Sequence, residues 1–223
     1  MRDDVAMTSI HLHYAPGNAS MAPHMLLEEL GVPFELKLVD RANMAHKSPA
    51  YLAMNPNGLI PVLEDGELVL YETAAILLHL ADTHPDAGFA PALGSPERAQ
   101  FYKWLMWLTN TLQPALINYF YPERWVAEGN AAGTAEVKLR AEARVGELLQ
   151  QLVAEFARHQ GPWLLGQHYS ALDPFAFMLC RWTRGFARPA RSLPQLDAYL
   201  ERMLARPAVQ QVFATEQLPQ PWV

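Results

Sequence analysis

The fold of this chain is decided by residues 55–73, which read NPNGLIPVLEDGELVLYET. Apolar and polar residues alternate on both sides of the acidic Glu-Asp-Gly-Glu turn, and this predicts two short paired strands. Pro61 lacks the backbone N–H that a central strand needs, so we expect it at a sheet edge or in a special turn. An amphipathic helix is predicted to follow from Glu72 to Asp82. The stretch therefore predicts strand, strand, helix.

The residues before this stretch predict a strand, a helix and a second strand. Residues 10–14 alternate apolar and polar side chains, and residues 20–30 have helical spacing with Ser20 as the expected N-cap. Residues 34–39 read as the next strand. Because a full helix separates the two strands, we expect them to pair in parallel through a right-handed crossover. Residues 1–7 look like a loose tail.

A linker is predicted at residues 84–95, which are rich in Pro, Gly and Ala and have no periodicity. The sequence thus predicts an α/β domain over residues 1–83 and an all-helical domain over residues 96–223.

The expected helices of the second part are long enough for a bundle. They cover residues 96 to about 120 and about 135 to 158. A third begins at a capping-box-like Ser170 and Asp173 and reaches about residue 187, and two shorter helices follow.

Composition and charge disfavour several classes of partner. The chain has 223 residues, a net charge of −6 and 18% charged residues, against roughly 25% in an average soluble domain. The charge disfavours nucleic acid and anionic membrane surfaces, and no segment approaches the ~20 apolar residues of a membrane span. The single cysteine, Cys180, lies in an apolar run, so we expect a reducing cytoplasmic setting. The low charged fraction also suggests a homodimer.

The order of features resembles the cytosolic glutathione transferase superfamily over nearly the whole chain. Three segments carry the resemblance: YAPGNASMAPHMLLEELGVPFEL at 14–36, NPNGLIPVLEDGELVLYETAAILLHL at 55–80 and HYSALDPFAFMLCRW at 168–182. It implies a thioredoxin-like glutathione-binding domain followed by a helical-bundle domain. Glutathione is then expected as the co-substrate, without a metal.

The resemblance also implies where the cysteinyl and glycyl parts of glutathione bind. The turn Leu59-Ile60-Pro61, with a cis Ile60–Pro61 bond, would offer the backbone N–H and C=O of Ile60 to the cysteinyl unit. Lys47 is the candidate for the glycine carboxylate, with His46 as a possible substitute. A solvated surface charge is the alternative for both residues.

Glu72 and Thr73 are expected to bind the γ-glutamyl end. They open a helix whose free N–H groups and positive dipole end suit a carboxylate. The Glu72 carboxylate suits the α-ammonium group. The pair would therefore recognise a zwitterion.

The chain departs from its nearest-looking relatives at the residues that act on the thiol. The loop PGNASMAPH resembles that of beta-class bacterial glutathione transferases, but Ala19 stands where their cysteine belongs. Gln113 and Pro114 stand where that class has His-Lys. Chemistry through a protein thiol at this position is therefore excluded.

What remains is activation of the glutathione thiol by a hydroxyl or an amide. Ser20 is the first candidate, followed by Asn18 and Tyr14. Ser20 has a plain alternative, in which it is only an N-cap whose hydroxyl is taken by the backbone.

The electrophile site is expected between the two domains, on the inner face of the first helix after the linker. The available side chains are Trp104, Trp107, Thr111 and Gln113, with Phe120 and Tyr121 further on. Aromatic residues at this spacing also suit a buried core.

Three functions fit the sequence. The first is conjugation of glutathione to a small hydrophobic electrophile. The second is glutathione-dependent reduction of a disulfide or peroxide without a protein cysteine. The third is a non-enzymatic stress or interaction protein of the same fold, against which Pro61, Glu72 and Thr73 argue.

Overall fold

The computed structural model describes residues 10–223, so the tail expected at residues 1–7 lies outside the described residues. The strands are β1 (Ile10–Tyr14), β2 (Phe34–Leu38), β3 (Val62–Asp65) and β4 (Leu68–Tyr71). The helices are α1 (Met21–Leu30), α2 (Pro49–Met54), α3 (Thr73–Thr83), α4 (Pro96–Trp107), α5 (Gln113–Phe120), α6 (Ala131–His159), α7 (Leu172–Arg181), α8 (Pro194–Leu204) and α9 (Pro207–Thr215).

The four strands form one mixed sheet in the order β2-β1-β3-β4. β1 pairs with β2 in parallel and with β3 antiparallel, and β3 pairs antiparallel with β4. Alternation along β1 buries Ile10 and Leu12 in the core that includes α1 and α3. The predicted thioredoxin-like sheet is therefore confirmed. α3 ends at Thr83 and α4 begins at Pro96, while the division into separate domains stays a prediction.

The helix expected from residue 96 to about 120 is interrupted. Residues 108–112 between α4 and α5 form a π-helical turn, in which the N–H of Gln113 reaches the Leu108 carbonyl, five residues back. Pro114 accounts for the change, because a proline ring would clash with the carbonyl four residues earlier in a regular α-helix.

Two other helix boundaries differ from those predicted. α6 begins at Ala131 because the Asn130 side chain caps it, accepting from the Gly133 N–H at 2.9 Å. α7 ends at Arg181 and not near residue 187. There the Thr183 hydroxyl donates to the Cys180 carbonyl at 2.7 Å, and residues 182–185 tighten into a 3-10 turn.

The helical part packs directly on the sheet-containing part. α1 contacts both α7 and α9, and one hydrophobic core runs through the two parts. Arg206 before α9 binds the Glu29 carboxylate of α1, and Arg98 of α4 binds both carboxylate oxygens of Asp82 in α3. Within residues 10–223 every helix is too short or too polar to span a lipid bilayer.

Candidate active site

The turn before β3 is held by two side chains that share one carbonyl. The Tyr51 hydroxyl donates to the Leu59 carbonyl at 2.9 Å, and the Asn55 amide donates to the same oxygen at 2.8 Å. The Ile60–Pro61 bond is cis, as the resemblance implied. Within the described chain, neither the N–H nor the C=O of Ile60 has a hydrogen-bond partner. Both groups can therefore pair with an extended peptide as an added strand would.

Lys47 lies over the same turn. Its ammonium group donates to the Asn57 carbonyl at 3.2 Å. Gly58, with a φ of 60°, leaves room for this side chain, since a β-carbon there would lie 2.6 Å from the lysine Nζ. The pKa of the neighbouring His46 is lowered by burial and by the positive charges of Arg41 and Lys47. The role of Lys47 toward a carboxylate stays a prediction.

The first turn of α3 combines free backbone donors with a carboxylate. The first hydrogen bond of the helix runs from the Ile76 N–H to the Glu72 carbonyl at 3.0 Å, so the N–H groups of residues 73–75 lack an intrahelical acceptor. The Glu72 side chain makes no capping bond and is exposed. Its φ of 75° lies where glycine is favoured, and such strain commonly marks a functional constraint. This geometry suits an α-amino acid zwitterion.

Ser20 stands at the N-cap position of α1, as the sequence predicted, but its side chain does not cap the helix. Its side chain is fully buried, and its hydroxyl donates to the Ala15 carbonyl and accepts from the Ala15 N–H, both at 3.2 Å. No capping bond to α1 is made. The hydroxyl therefore closes the preceding loop and has its one hydrogen engaged.

Asn18 and Tyr14 have donors that remain available. The Asn18 side-chain oxygen accepts from the Ala19 N–H at 2.7 Å, and its amide nitrogen has no partner within residues 10–223. The Tyr14 ring packs near His24, with ring centroids 6.2 Å apart, and its hydroxyl likewise lacks a partner in the described chain. Asn18 lies in the loop itself and is half-buried.

The same loop is tied to the other end of the chain. The Gly17 N–H donates to one Glu216 carboxylate oxygen at 2.7 Å, and the other oxygen lies 2.8 Å from Nδ1 of His24. The Trp182 indole N–H donates to the Gly17 carbonyl at 3.3 Å. Both the Glu216 and the His24 side chains are fully buried. Residues far along the chain therefore fix the loop that carries Asn18.

Comparison with known proteins identifies the family. The model of the glutathione S-transferase N-terminal domain matches residues 19–83. Glutathione S-transferase GST-4.5 of Xanthomonas campestris pv. campestris is 31% identical over 207 residues, which are 93% of this chain and 98% of that protein. This chain belongs to the glutathione S-transferase family.

Solved structures of other glutathione S-transferases have the same fold. A glutathione transferase homologue from Sulfitobacter, solved with bound glutathione, has a TM-score of 0.85 and 27% identity and covers 95% of this chain and 100% of that one. A sphingomonad glutathione S-transferase complexed with glutathione has a TM-score of 0.80 and 31% identity, covering 94% and 100%.

In this member of the glutathione S-transferase family, the two tryptophans of α4 face α6. The indole N–H of Trp104 donates to Glu155 at 3.4 Å and that of Trp107 donates to Gln151 at 3.2 Å. These bonds direct both indole N–H groups toward α6, while the role of the two residues in the electrophile site stays a prediction. Their aromatic spacing could not distinguish the two faces of α4.

Two other aromatic residues, Phe120 and Trp182, extend from the loop that carries Asn18. The rings of Phe120 and Trp182 meet edge to face at 6.2 Å, and Phe120 is 43% exposed. Trp182 reaches Gly17 directly, although sequence reasoning missed it at the end of the segment 168–182. Thr111 and Gln113 lie half-buried in and after the π-helical turn, and their role stays a prediction.

The single cysteine of this glutathione S-transferase family member has an inaccessible thiol. Cys180 is buried in α7, and burial raises the pKa of its thiol to about 12. No group of three or more His, Cys, Asp and Glu side chains in the described part of the chain is arranged to hold a metal ion.

Proposed function

We propose that this chain binds glutathione and conjugates it to a small hydrophobic electrophile. Two features together carry the proposal. The backbone N–H and C=O of Ile60 have no hydrogen-bond partner in the described chain, and the start of α3 beside Glu72 has no side-chain cap. The first can bind a peptide unit, and the second can bind an amino-acid head group. The relatives solved with glutathione support the same ligand.

The proposed reaction begins with loss of the thiol proton to solvent on binding. The thiolate sulfur then forms a bond to the electrophilic carbon, and the leaving group departs with the electron pair of the bond that breaks. Lowering the thiol pKa by two units requires about 2.7 kcal/mol of preferential stabilisation of the thiolate. One hydrogen bond to a charged acceptor contributes about 1.5–3 kcal/mol, so a single placed donor suffices.

Asn18 is the donor that we place first, ahead of Ser20 and Tyr14. Its amide nitrogen is unpartnered in the described chain, whereas the Ser20 hydroxyl would have to release the Ala15 carbonyl. The start of α1 adds a favourable dipole of about 0.3–1 kcal/mol.

The donor can be assigned by the ultraviolet absorbance of bound thiolate as a function of pH. We expect Asn18→Ala to raise the pKa of bound glutathione by about one unit, in line with the loss of one charge-assisted bond. Ser20→Ala should lower stability and leave that pKa unchanged. The opposite pattern would restore Ser20 as the activating residue.

Binding can be tested separately by calorimetric titration of glutathione. Glu72→Gln should weaken binding by more than ~1 kcal/mol because it removes the charge facing the ammonium group. Glu128→Gln, at an exposed site in the loop before α6, is the matched control. If calorimetry detects no binding at millimolar glutathione, only the non-enzymatic function remains. A separate turnover assay distinguishes the two enzymatic functions, because turnover of a mixed disulfide and not of an aryl halide would favour the reductase.

A homodimer belongs to the same proposal. The edge strand β4 exposes Leu68 and Val69, and α4 exposes Tyr102 and Met106. A second copy would cover these apolar side chains. Sedimentation analysis of the wild type against Met106→Lys tests the interface. The cytoplasmic location stays a prediction.

A further inference from the structure

Two guanidinium groups flank one tyrosine where the two parts of the chain meet. Nη2 of Arg41, in the segment between β2 and α2, donates to the Tyr121 hydroxyl at 3.3 Å. The guanidinium carbon of Arg124 lies 4.0 Å from the centroid of the Tyr121 ring. Tyr121 directly follows α5, so one arginine comes from each part of the chain. Both arginines are exposed.

Neither of these guanidinium groups has an acidic partner within residues 10–223. Two arginines at contacts between helices, by contrast, are neutralised: Arg98 pairs with Asp82, and Arg206 with Glu29. The acid next to Arg41 is occupied elsewhere, because the Asp40 carboxylate accepts from the Asn43 N–H and side-chain amide. Two unpaired cations therefore remain at one place in a chain of net charge −6.

An aromatic path connects these cations to the loop that carries Asn18. Phe120 precedes Tyr121 in the chain and meets the Trp182 ring, whose indole donates to Gly17. Phe120 offers 43% of its surface to solvent. A planar apolar molecule beside this path would have the loop at one end and the guanidinium groups at the other.

We propose, on the basis of the conjugating function above, that the electrophile is an aromatic compound bearing a carboxylate, which Arg41 and Arg124 recognise. A guanidinium group presents parallel N–H donors that match a carboxylate, and it stacks on aromatic rings. The ring of the substrate lies against Phe120 and Trp182. Its reactive carbon points toward the glutathione sulfur, and its carboxylate points toward the two arginines.

Arg41 has an alternative role as a partner of the glycine carboxylate of glutathione. Lys47 is better placed for that role, because it lies over Gly58 beside the Ile60 turn. Arg41 instead reaches across to Tyr121. Replacing Arg41 should weaken the binding of glutathione if Arg41 binds the glycine carboxylate, and the binding of the electrophile if Arg41 binds its carboxylate. Arg124 has no such alternative role.

The test compares two glutathione conjugates, one with a carboxylate and the other with its uncharged methyl ester. They are the chemically prepared conjugates of a chlorodinitrobenzoate and of its methyl ester, and calorimetry measures their affinities without requiring turnover. We expect the wild type to bind the acid conjugate about tenfold more tightly than the ester conjugate, as a charge-assisted contact implies. Added salt should reduce this preference because the arginines are exposed.

The variants Arg41→Gln and Arg124→Gln identify the source of the preference. Each should lower it, and the double variant should abolish it, while affinities for the ester conjugate and for glutathione stay within about twofold of wild type. Arg158→Gln makes the same change of charge at an exposed residue near the C-terminal end of α6 and should keep the preference. The unchanged ester affinity also shows that each variant is folded.

Equal affinities of the wild type for both conjugates would overturn the inference and leave glutathione binding intact. A preference that survives in the double variant would overturn the assignment to these arginines. Weaker binding of glutathione by Arg41→Gln, with an unchanged preference, would assign Arg41 to the glycine carboxylate instead. If glutathione itself does not bind, the proposed function fails and this inference fails with it.

Discussion

The two halves of the candidate site are held in place by different parts of the chain. The turn at residues 55–61 is supported by Tyr51 and Asn55, which lie 8 and 4 positions from their shared acceptor. The loop that carries Asn18 is supported by Trp182 and Glu216, 165 and 199 positions from Gly17. The turn at residues 55–61 depends for this support only on residues of its own segment. The second half forms only when the helical part docks on α1.

This difference separates the consequences of substitution. A change in the local half should affect glutathione affinity and cost little stability. A change in the remote half should destabilise the whole chain, because it removes a contact between the two parts. The following predictions, from the largest expected effect to the smallest, test that separation.

Replacing Glu216 should have the largest effect. Glu216→Ala leaves the Gly17 N–H and His24 without their acceptor. It also removes the negative charge near the buried Arg181, whose pKa burial lowers to about 10. Breaking a buried charged network of this kind costs about 3–5 kcal/mol in the free energy of unfolding, which urea titration measures.

The matched control for this variant is Glu128→Ala, which removes the same charge from an exposed position. It should change stability by no more than about 0.5 kcal/mol. Equal effects of the two variants would show that the loop does not depend on its remote partner.

Stability should also depend on pH through Asp173, which begins the helix that leads to Trp182. Its carboxylate accepts from the N–H groups of Leu164 and Ser170, and burial raises its pKa from 3.8 to about 6. The folded state thus holds the proton more tightly than the unfolded chain. The stabilisation that this group provides is complete below pH 3.8 and is lost as the pH rises toward about 6.

Asp173→Asn isolates this contribution, because other titrating groups cancel in the difference between the two proteins. The difference in the free energy of unfolding, wild type minus variant, should fall by the order of 3 kcal/mol between about pH 4 and pH 6. A difference that rises over the same interval would mean that the hydrogen bonds to the carboxylate outweigh its burial.

The local half is tested by removing the two donors to the Leu59 carbonyl. Tyr51→Phe and Asn55→Ala should each weaken glutathione binding by about 1 kcal/mol, measured by calorimetry, because each loosens the turn that presents Ile60. The double variant should lose more than the sum, since the carbonyl then has no side-chain donor. The pKa of bound glutathione should not change in Tyr51→Phe. A shift of that pKa would show that the two halves are coupled.

The smallest effect is expected at Cys180. Cys180→Ala should keep conjugating turnover within about twofold of wild type, because a thiol with a pKa near 12 is neither exposed nor ionised. The wild-type thiol should react with a maleimide only after unfolding. Loss of turnover in a folded variant would show that the Cys180 thiol takes part in the reaction, which neither enzymatic function predicts.

The parts of the site that could be predicted lie in short segments with strong local rules. Alternation around the Glu-Asp-Gly-Glu turn marks β3 and β4, and the proline at 61 marks the turn before them. The start of α3 follows from the change to helical spacing after Tyr71. Each of these signals involves residues within a few positions of one another.

The details that the sequence left undecided depend on which face of an element is covered. Spacing along α4 located Trp104 and Trp107 on a helix but could not show that α6 covers them. Ser20 precedes a helix, as an N-cap does, yet its hydroxyl turns back to Ala15 because the loop is compact. Such choices depend on packing partners that lie far away in the chain.

The sequence by itself determined the element order and the sheet-forming turn, because hydrophobic period, proline and glycine act on neighbouring residues. Only the tertiary structure decided how the Asn18 loop is held and which aromatic residues adjoin it. Glu216 and Trp182 reach Gly17 through the docking of α1 on α7 and α9, a contact that buries apolar surface without a local sequence signature.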